Sequence, residues 1–191
     1  GIIGLLAALL IFVQIRTLDR ATEDAATSTM DAASRSTVSY LQLQIEMLSR
    51  MARALAFSPA IMASSDPSDS SPSAGLIKDN LAQWPALDSI YVGYNNGHWL
   101  QVQRLEGLKG SQRDRVGGPP EAAFAITTTR WLDGRELPTR RVFQDKVGNQ
   151  IGQLEIPPRG YDARHRSWYV EARKVDQLVT SAPYLSFNLN V

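Results

Sequence analysis

From Thr17 to Phe57 the chain contains neither proline nor glycine. A segment of that length without a backbone breaker continues as one long helix. Within it Val38, Leu41, Ile45, Leu48, Ala52 and Leu55 recur at alternating steps of three and four, which gathers them on a heptad-like stripe. Such a stripe packs on a second copy of the chain, on another helix, or, for its C-terminal half, on the chain's own sheet. Thr22 to Ser36 is small and polar and suits a solvated stalk or a weak dimer contact. Ser58-Pro59 ends the helix.

Ahead of the helix, Gly1 to Val13 is uninterrupted apolar sequence, extended by Gln14 and Ile15 and closed by Arg16. Fifteen residues cover only about 22 Å as helix, short of the roughly 30 Å hydrocarbon core. The run is followed directly by helical sequence, with no small-residue cleavage site. We therefore expect residues 1–16 to be the C-terminal part of an uncleaved membrane helix, 17–57 a stalk or dimerisation helix, and 58–87 a loop and short helix. Ala63 to Gly75, rich in Ser, Pro and Asp, reads as loop, and Leu76 to Gln83 as helix.

Strand signals dominate after Asp88. Asp88 to Tyr94 and His98 to Leu105 flank Asn95-Asn96-Gly97, a hairpin signal. Phe124 to Leu132 and Thr139 to Lys146 flank Asp133-Gly134, and Asn149 to Ile156 follows Gly148. The class is α+β: the end of a membrane helix, a long amphipathic helix, then an antiparallel sheet flanked by helices. No internal repeat is present.

At 43% hydrophobic residues the chain can bury a core, and 20 basic against 19 acidic residues leave no global field that would draw it to nucleic acid. Cysteine is absent, which removes disulfides, thiolate catalysis and thiolate metal sites together. His98 and His165 are the only histidines, and neither stands in a metal-ligating spacing. No glycine-rich phosphate loop and no nucleophile elbow occur. The sequence therefore gives no catalytic residue, metal ligand or cofactor site.

Pro157-Pro158-Arg159-Gly160 halts the last strand and releases the chain into Tyr161-Asp162-Ala163-Arg164-His165-Arg166-Ser167-Trp168-Tyr169. Three aromatic rings and two guanidiniums in nine residues combine stiff apolar faces with planar donor forks that match carboxylate or phosphate. The alternative has Trp168 and Tyr169 opening a helix that packs on the sheet, with Arg164 and Arg166 lying along the surface. From Trp168 a short amphipathic helix follows, and Thr180 to Phe187 then reads as a strand.

The order Tyr-Asp-x-Arg-x-Arg-x-Trp-Tyr, the short helix holding Ala172, and Ser181-Ala182-Pro183-Tyr184 resemble the signature of bacterial double Cache sensor domains. Asp88 to Arg104 is similar to the corresponding segment of Cache sensors attached to class III adenylate or guanylate cyclases. The resemblance implies that 88–191 is a membrane-distal, PAS-like Cache module whose membrane-proximal partner lies beyond Val191. It implies a pocket lined by Tyr161, Arg166, Trp168, Tyr169 and Tyr184, with Arg166 taking an anionic group and Arg164 bracing the loop. Ser167 and Ala163 stand where the family commonly has proline. Ser186 stands where its amino-acid-binding branch has an aspartate for the ligand's ammonium, and a neutral hydroxyl is a poor partner for a cation.

For Tyr91, Tyr94 and Gln101, a pocket role and sheet packing are evenly balanced. By resemblance, the whole is the periplasmic sensor region of a receptor in the bacterial cytoplasmic membrane. It would bind a small anionic or carboxylate ligand, act as a homodimer and control a cyclase. Chemoreceptor, histidine kinase and diguanylate cyclase outputs remain alternatives, as do a dimerisation stalk and a hydrolase using His98 or His165.

Overall fold

The computed structural model describes residues 2–63 and 67–175, with side chains described from residue 26 onward. Contacts divide the chain into two units, Gly1–Met51 and Ala52–Val191. The first is helix α1, Ile2–Ala56, which runs on into the second for its last turn. Its apolar residues Val38, Leu41 and Ile45 are exposed, as are Tyr40, Leu43 and Met47. Thr37 and Ser49 return their hydroxyls to the carbonyls of Ala33 and Ile45, and Arg50 pairs with Glu46 at 2.6 Å. These are local contacts one turn apart, and exposed pairs of this kind contribute little. Among the described residues no helix is long and apolar enough to cross a membrane.

In the second unit Leu55 is buried, and Ser58 ends α1 and caps the next helix. Its Oγ accepts from Ala60 N, and Pro59 occupies the first turn of α2, Pro59–Met62. Helix α3, Pro72–Gln83, begins four residues before the expected Leu76 because Ser71 accepts from Ala74 N and Pro72 supplies a preset first-turn φ. Ala74, Ile77 and Leu81, spaced by three and four, are fully buried along one face. At its far end Arg104 donates to the carbonyls of Leu81 and Trp84, adding a side-chain donor to the helix C-terminus.

Five strands make an antiparallel meander, ordered β1, β2, β3, β6, β7. They are β1 Ser89–Gly93, β2 Trp99–Arg104, β3 Phe124–Thr129, β6 Thr139–Gln144 and β7 Gln150–Ile156. Helix α4, Ser111–Val116, interrupts the β2–β3 connection. The expected strand from Phe124 to Leu132 breaks at Arg130. Asp133-Gly134 turns a separate two-stranded hairpin, β4 Trp131–Leu132 with β5 Arg135–Glu136. Both turn residues have positive φ, 50° and 74°, as a tight hairpin turn of matching twist requires.

Because strand side chains alternate, the register divides the sheet into two faces. Ile90, Val92, Leu100, Val102, Phe124 and Ile126 share one face and form the main core with Ile61, Ala74, Ile77 and Leu81. Each fully buried Ile or Leu there contributes about 1.5–3 kcal/mol. The opposite face splits: Phe143 and Ala125 join Leu105, Val116 and Ala122 in a smaller apolar cluster, and the remainder is polar and aromatic. Beyond β7 lie a single turn, Ala163–His165, and helix α5, Ser167–Ala172. The expected strand 180–187 lies outside the described residues.

Candidate ligand-binding site

The polar part of the second face forms the floor of a cavity of about 290 Å³. Tyr91, Gln101, Thr127, Arg141 and Leu154 pair successively across β1, β2, β3, β6 and β7, and all five line it. One step along the strands, Trp99, Thr129, Thr139 and Ile156 form a second row. Tyr94 falls on the other face, packed against the main core. Tyr91 in β1 therefore belongs to the cavity and Tyr94, one residue past the strand, to the interior.

The segment Pro157 to Trp168 supplies the wall, with Pro157, Arg159, Tyr161, Arg166 and Trp168 facing the cavity. Rings join wall to floor: Trp168 meets Tyr91 edge-on with centroids 5.0 Å apart, and Tyr161 meets Trp99 at 5.0 Å. Tyr169 does not line the cavity. It is buried behind Trp168, at 5.6 Å and nearly perpendicular. Tyr184 and Ser186 lie outside the described residues.

Two contacts fasten the wall to the small hairpin. Glu136 Oε2 accepts from the backbone N–H groups of Arg159 and Gly160, at 3.0 and 2.6 Å. The Arg164 guanidinium lies 5.7 Å from the Trp131 ring centroid, within cation–π range. His98 Nδ1 in turn accepts from Trp131 N at 3.1 Å, tying the hairpin to the β1–β2 turn.

Arg164 acts as a brace. It engages both oxygens of Asp162, through Nε at 2.9 and 3.1 Å and Nη2 at 2.7 Å. The Asp162 side chain is only 5% exposed, and its Oδ1 also accepts Arg164 N, capping the single turn that follows. The Arg164 hydrogen bonds, opposed in part by burial, hold the Asp162 pKa below the usual carboxylate range.

A second buried charge is Arg141, 6% exposed in an interior strand. Its Nε donates to Thr127 Oγ1 at 3.0 Å and its Nη1 to Val116 O at 2.7 Å, so two neutral acceptors fix the plane of the guanidinium. Burial first, and the Arg159 charge second, lower its pKa to about 10, which leaves it a cation at neutral pH. Beside it the Thr129 and Thr139 hydroxyls meet at 2.7 Å. Among the described residues the lining includes Arg115, Arg141, Arg159 and Arg166 against one acidic residue, Glu136. Such a site favours an anion.

The sequence signals pointed to the wall and missed most of the floor. Arg141, Thr127, Thr129 and Thr139 read as ordinary strand residues, although a Thr-Thr-Thr run in one strand and an arginine inside Thr-Arg-Arg-Val-Phe of another are unusual for central positions. Neither histidine lines the cavity; His165 is exposed, with Nδ1 3.7 Å from Asp162 Oδ2. Among the described residues no group of His, Asp and Glu is arranged to hold a metal ion.

Over 109 residues the chain is 28% identical to a protein named adenylate cyclase 1, from Rhizobium meliloti (strain 1021), a match that takes in 57% of this chain and 16% of that protein. The chain thus corresponds to a small part of that relative's length. No family model and no solved structure matches it.

Proposed function

We propose that the second unit is a ligand-binding module of the double Cache type, in the sensor region of a membrane signalling protein, and that its cavity takes a small carboxylate. The observation that carries this is a compact cavity, near the lower end of the range for small-molecule sites, walled by Tyr161, Arg166 and Trp168 over a floor that presents a buried arginine. Rigid aromatic faces would hold the carbon skeleton and guanidiniums would take the charge.

The output in this reading is an adenylate or guanylate cyclase, an assignment supported by the similarity to the Rhizobium protein. Residues 1–16 would be the end of a membrane helix, with the module outside the bacterial cytoplasmic membrane. The apolar residues exposed on α1, Val38, Leu41 and Ile45 among them, would pack on the same helix of a second copy.

A thermal-shift screen of the intact protein against small carboxylates and the standard amino acids tests the assignment. A carboxylate at about a hundred times its Kd should stabilise by roughly 2.7 kcal/mol. Zwitterionic amino acids should do less, because an ammonium entering this lining meets several guanidiniums and one carboxylate already occupied by two N–H groups. A screen in which no carboxylate shifts the midpoint, or in which standard amino acids bind best, contradicts it.

A further inference from the structure

We propose that Arg141 seats a second anionic group, so that the ligand is a small dicarboxylate held between Arg141 on the sheet and Arg166 on the wall. This rests on reading the cavity as a carboxylate site and adds the number of charges the ligand carries.

An ionised group taken out of water is normally paired or neutralised, and left uncompensated it is strongly unfavourable. Arg141 is more than nine-tenths buried, still charged at neutral pH, and has no carboxylate partner among the described residues. Its hydrogen bonds use Nε and Nη1, both to neutral oxygens. Among the described residues Nη2 has no hydrogen-bond partner, and Arg141 borders the cavity. A guanidinium locked by two bonds in a residue that borders a cavity is a preorganised anion seat.

A brace alone would not need the charge. The same strand position would tolerate a neutral polar residue bonding Thr127 and Val116, without the desolvation that depresses the Arg141 pKa. Arg159, on the wall, lies near enough to push that pKa the same way, so a second positive charge stands close to Arg141. Arg166 stands on a different element, at the entry to α5. Two cationic residues on different elements of one small cavity, Arg141 on the floor and Arg166 on the wall, suit a short chain with a carboxylate at each end.

The test is calorimetry on the intact protein with linear dicarboxylates from malonate to adipate, each beside its monoamide and its monocarboxylate analogue. The best dicarboxylate should lose about 10- to 100-fold in affinity when one carboxylate becomes an amide, the range expected for a charged hydrogen bond. Arg141→Gln should abolish that discrimination, leaving dicarboxylate and monoamide within a few-fold, while Arg141→Lys retains part of it. Equal affinity for dicarboxylate and monoamide in the wild-type protein overturns the proposal without any variant having to fold. If monocarboxylates bind in an Arg166-dependent way while dicarboxylates do not, the second seat is wrong and the carboxylate site stands. If none of the three classes binds, both fail.

Discussion

Trp168 rests on bare backbone at Gly93. A Cβ placed on Gly93 would lie 2.9 Å from the tip of the Trp168 ring, 3.1 Å from Ala163 Cβ and 3.2 Å from the Tyr169 ring. The absence of one methyl group from β1 therefore sets how closely the wall approaches the floor. The Gly93 backbone is not in the left-handed region, so space and not conformation is the constraint. Gly93→Ala should cost about 1–3 kcal/mol through overpacking and weaken ligand binding by tilting Trp168. Urea midpoints and calorimetry on the variant check both. An unchanged affinity would show that Trp168 is not a working part of the wall.

Gly118 raises a sharper demand. Its φ is +84°, and an added Cβ would fall 2.4 Å from the Phe143 ring, itself almost fully buried. Backbone strain and steric conflict act together, and Gly118→Ala should destabilise the protein by about 2–4 kcal/mol. Chemical denaturation measures this directly. A loss below 0.5 kcal/mol, within the usual scatter of surface changes, would contradict the packing described around Phe143.

The Asp162–Arg164 pair gives stability an acid limb of known sign. The folded-state pKa of Asp162 is depressed, chiefly by the Arg164 hydrogen bonds. The unfolded state therefore binds more protons in the acid range, and stability rises with pH there. The contribution is fully present above the unfolded pKa of about 3.9 and is lost as pH falls through the lower folded value. In Asp162→Asn that part of the pH dependence should disappear, and the wall should loosen because the brace loses its charge. Urea midpoints measured from pH 2 to 6 on both proteins decide it; parallel curves would remove Asp162 from the account.

The strand pairs were legible where local chemistry punctuates them. Asn95-Asn96-Gly97 marks the β1–β2 turn, and Pro157-Pro158 marks the end of β7, because glycine and proline restrict the backbone whatever surrounds them. The split of Phe124 to Leu132 into β3 and β4 was hidden, since no breaker stands at Arg130 and only the tertiary pairing of Thr128 with Arg140 and of Trp131 with Glu136 determines it. The wall was legible for a related reason: aromatic and arginine side chains crowded after a proline stop advertise a loop with chemistry. Arg141 was not. Nothing in Thr139-Arg140-Arg141-Val142 says which arginine turns inward, and the choice follows from the pairing of β6 between β3 and β7. There Arg140 faces Asp69 at 3.3 Å and Arg141 faces the cavity.

Helix α1 leaves Val38, Leu41 and Ile45 exposed while Leu55 is buried, so the proposed pairing would use about one heptad of the stripe and depend on the two copies being tethered. In this cysteine-free chain, single cysteines at Ser34, Thr37 and Val38 should crosslink between copies in membranes, with a pattern that changes when ligand binds. A set in which no position crosslinks, or in which ligand leaves the pattern untouched, would make the helix a support only.

If the cavity binds a small carboxylate through Arg166, calorimetry on wild-type protein and Arg166→Ala with the best carboxylate from the screen will show it. Removing a charged hydrogen bond from an enclosed site costs about 2–4 kcal/mol, so affinity should fall roughly 30- to 1000-fold while the urea midpoint stays close to that of wild type. Equal affinities in two equally folded proteins would contradict the account.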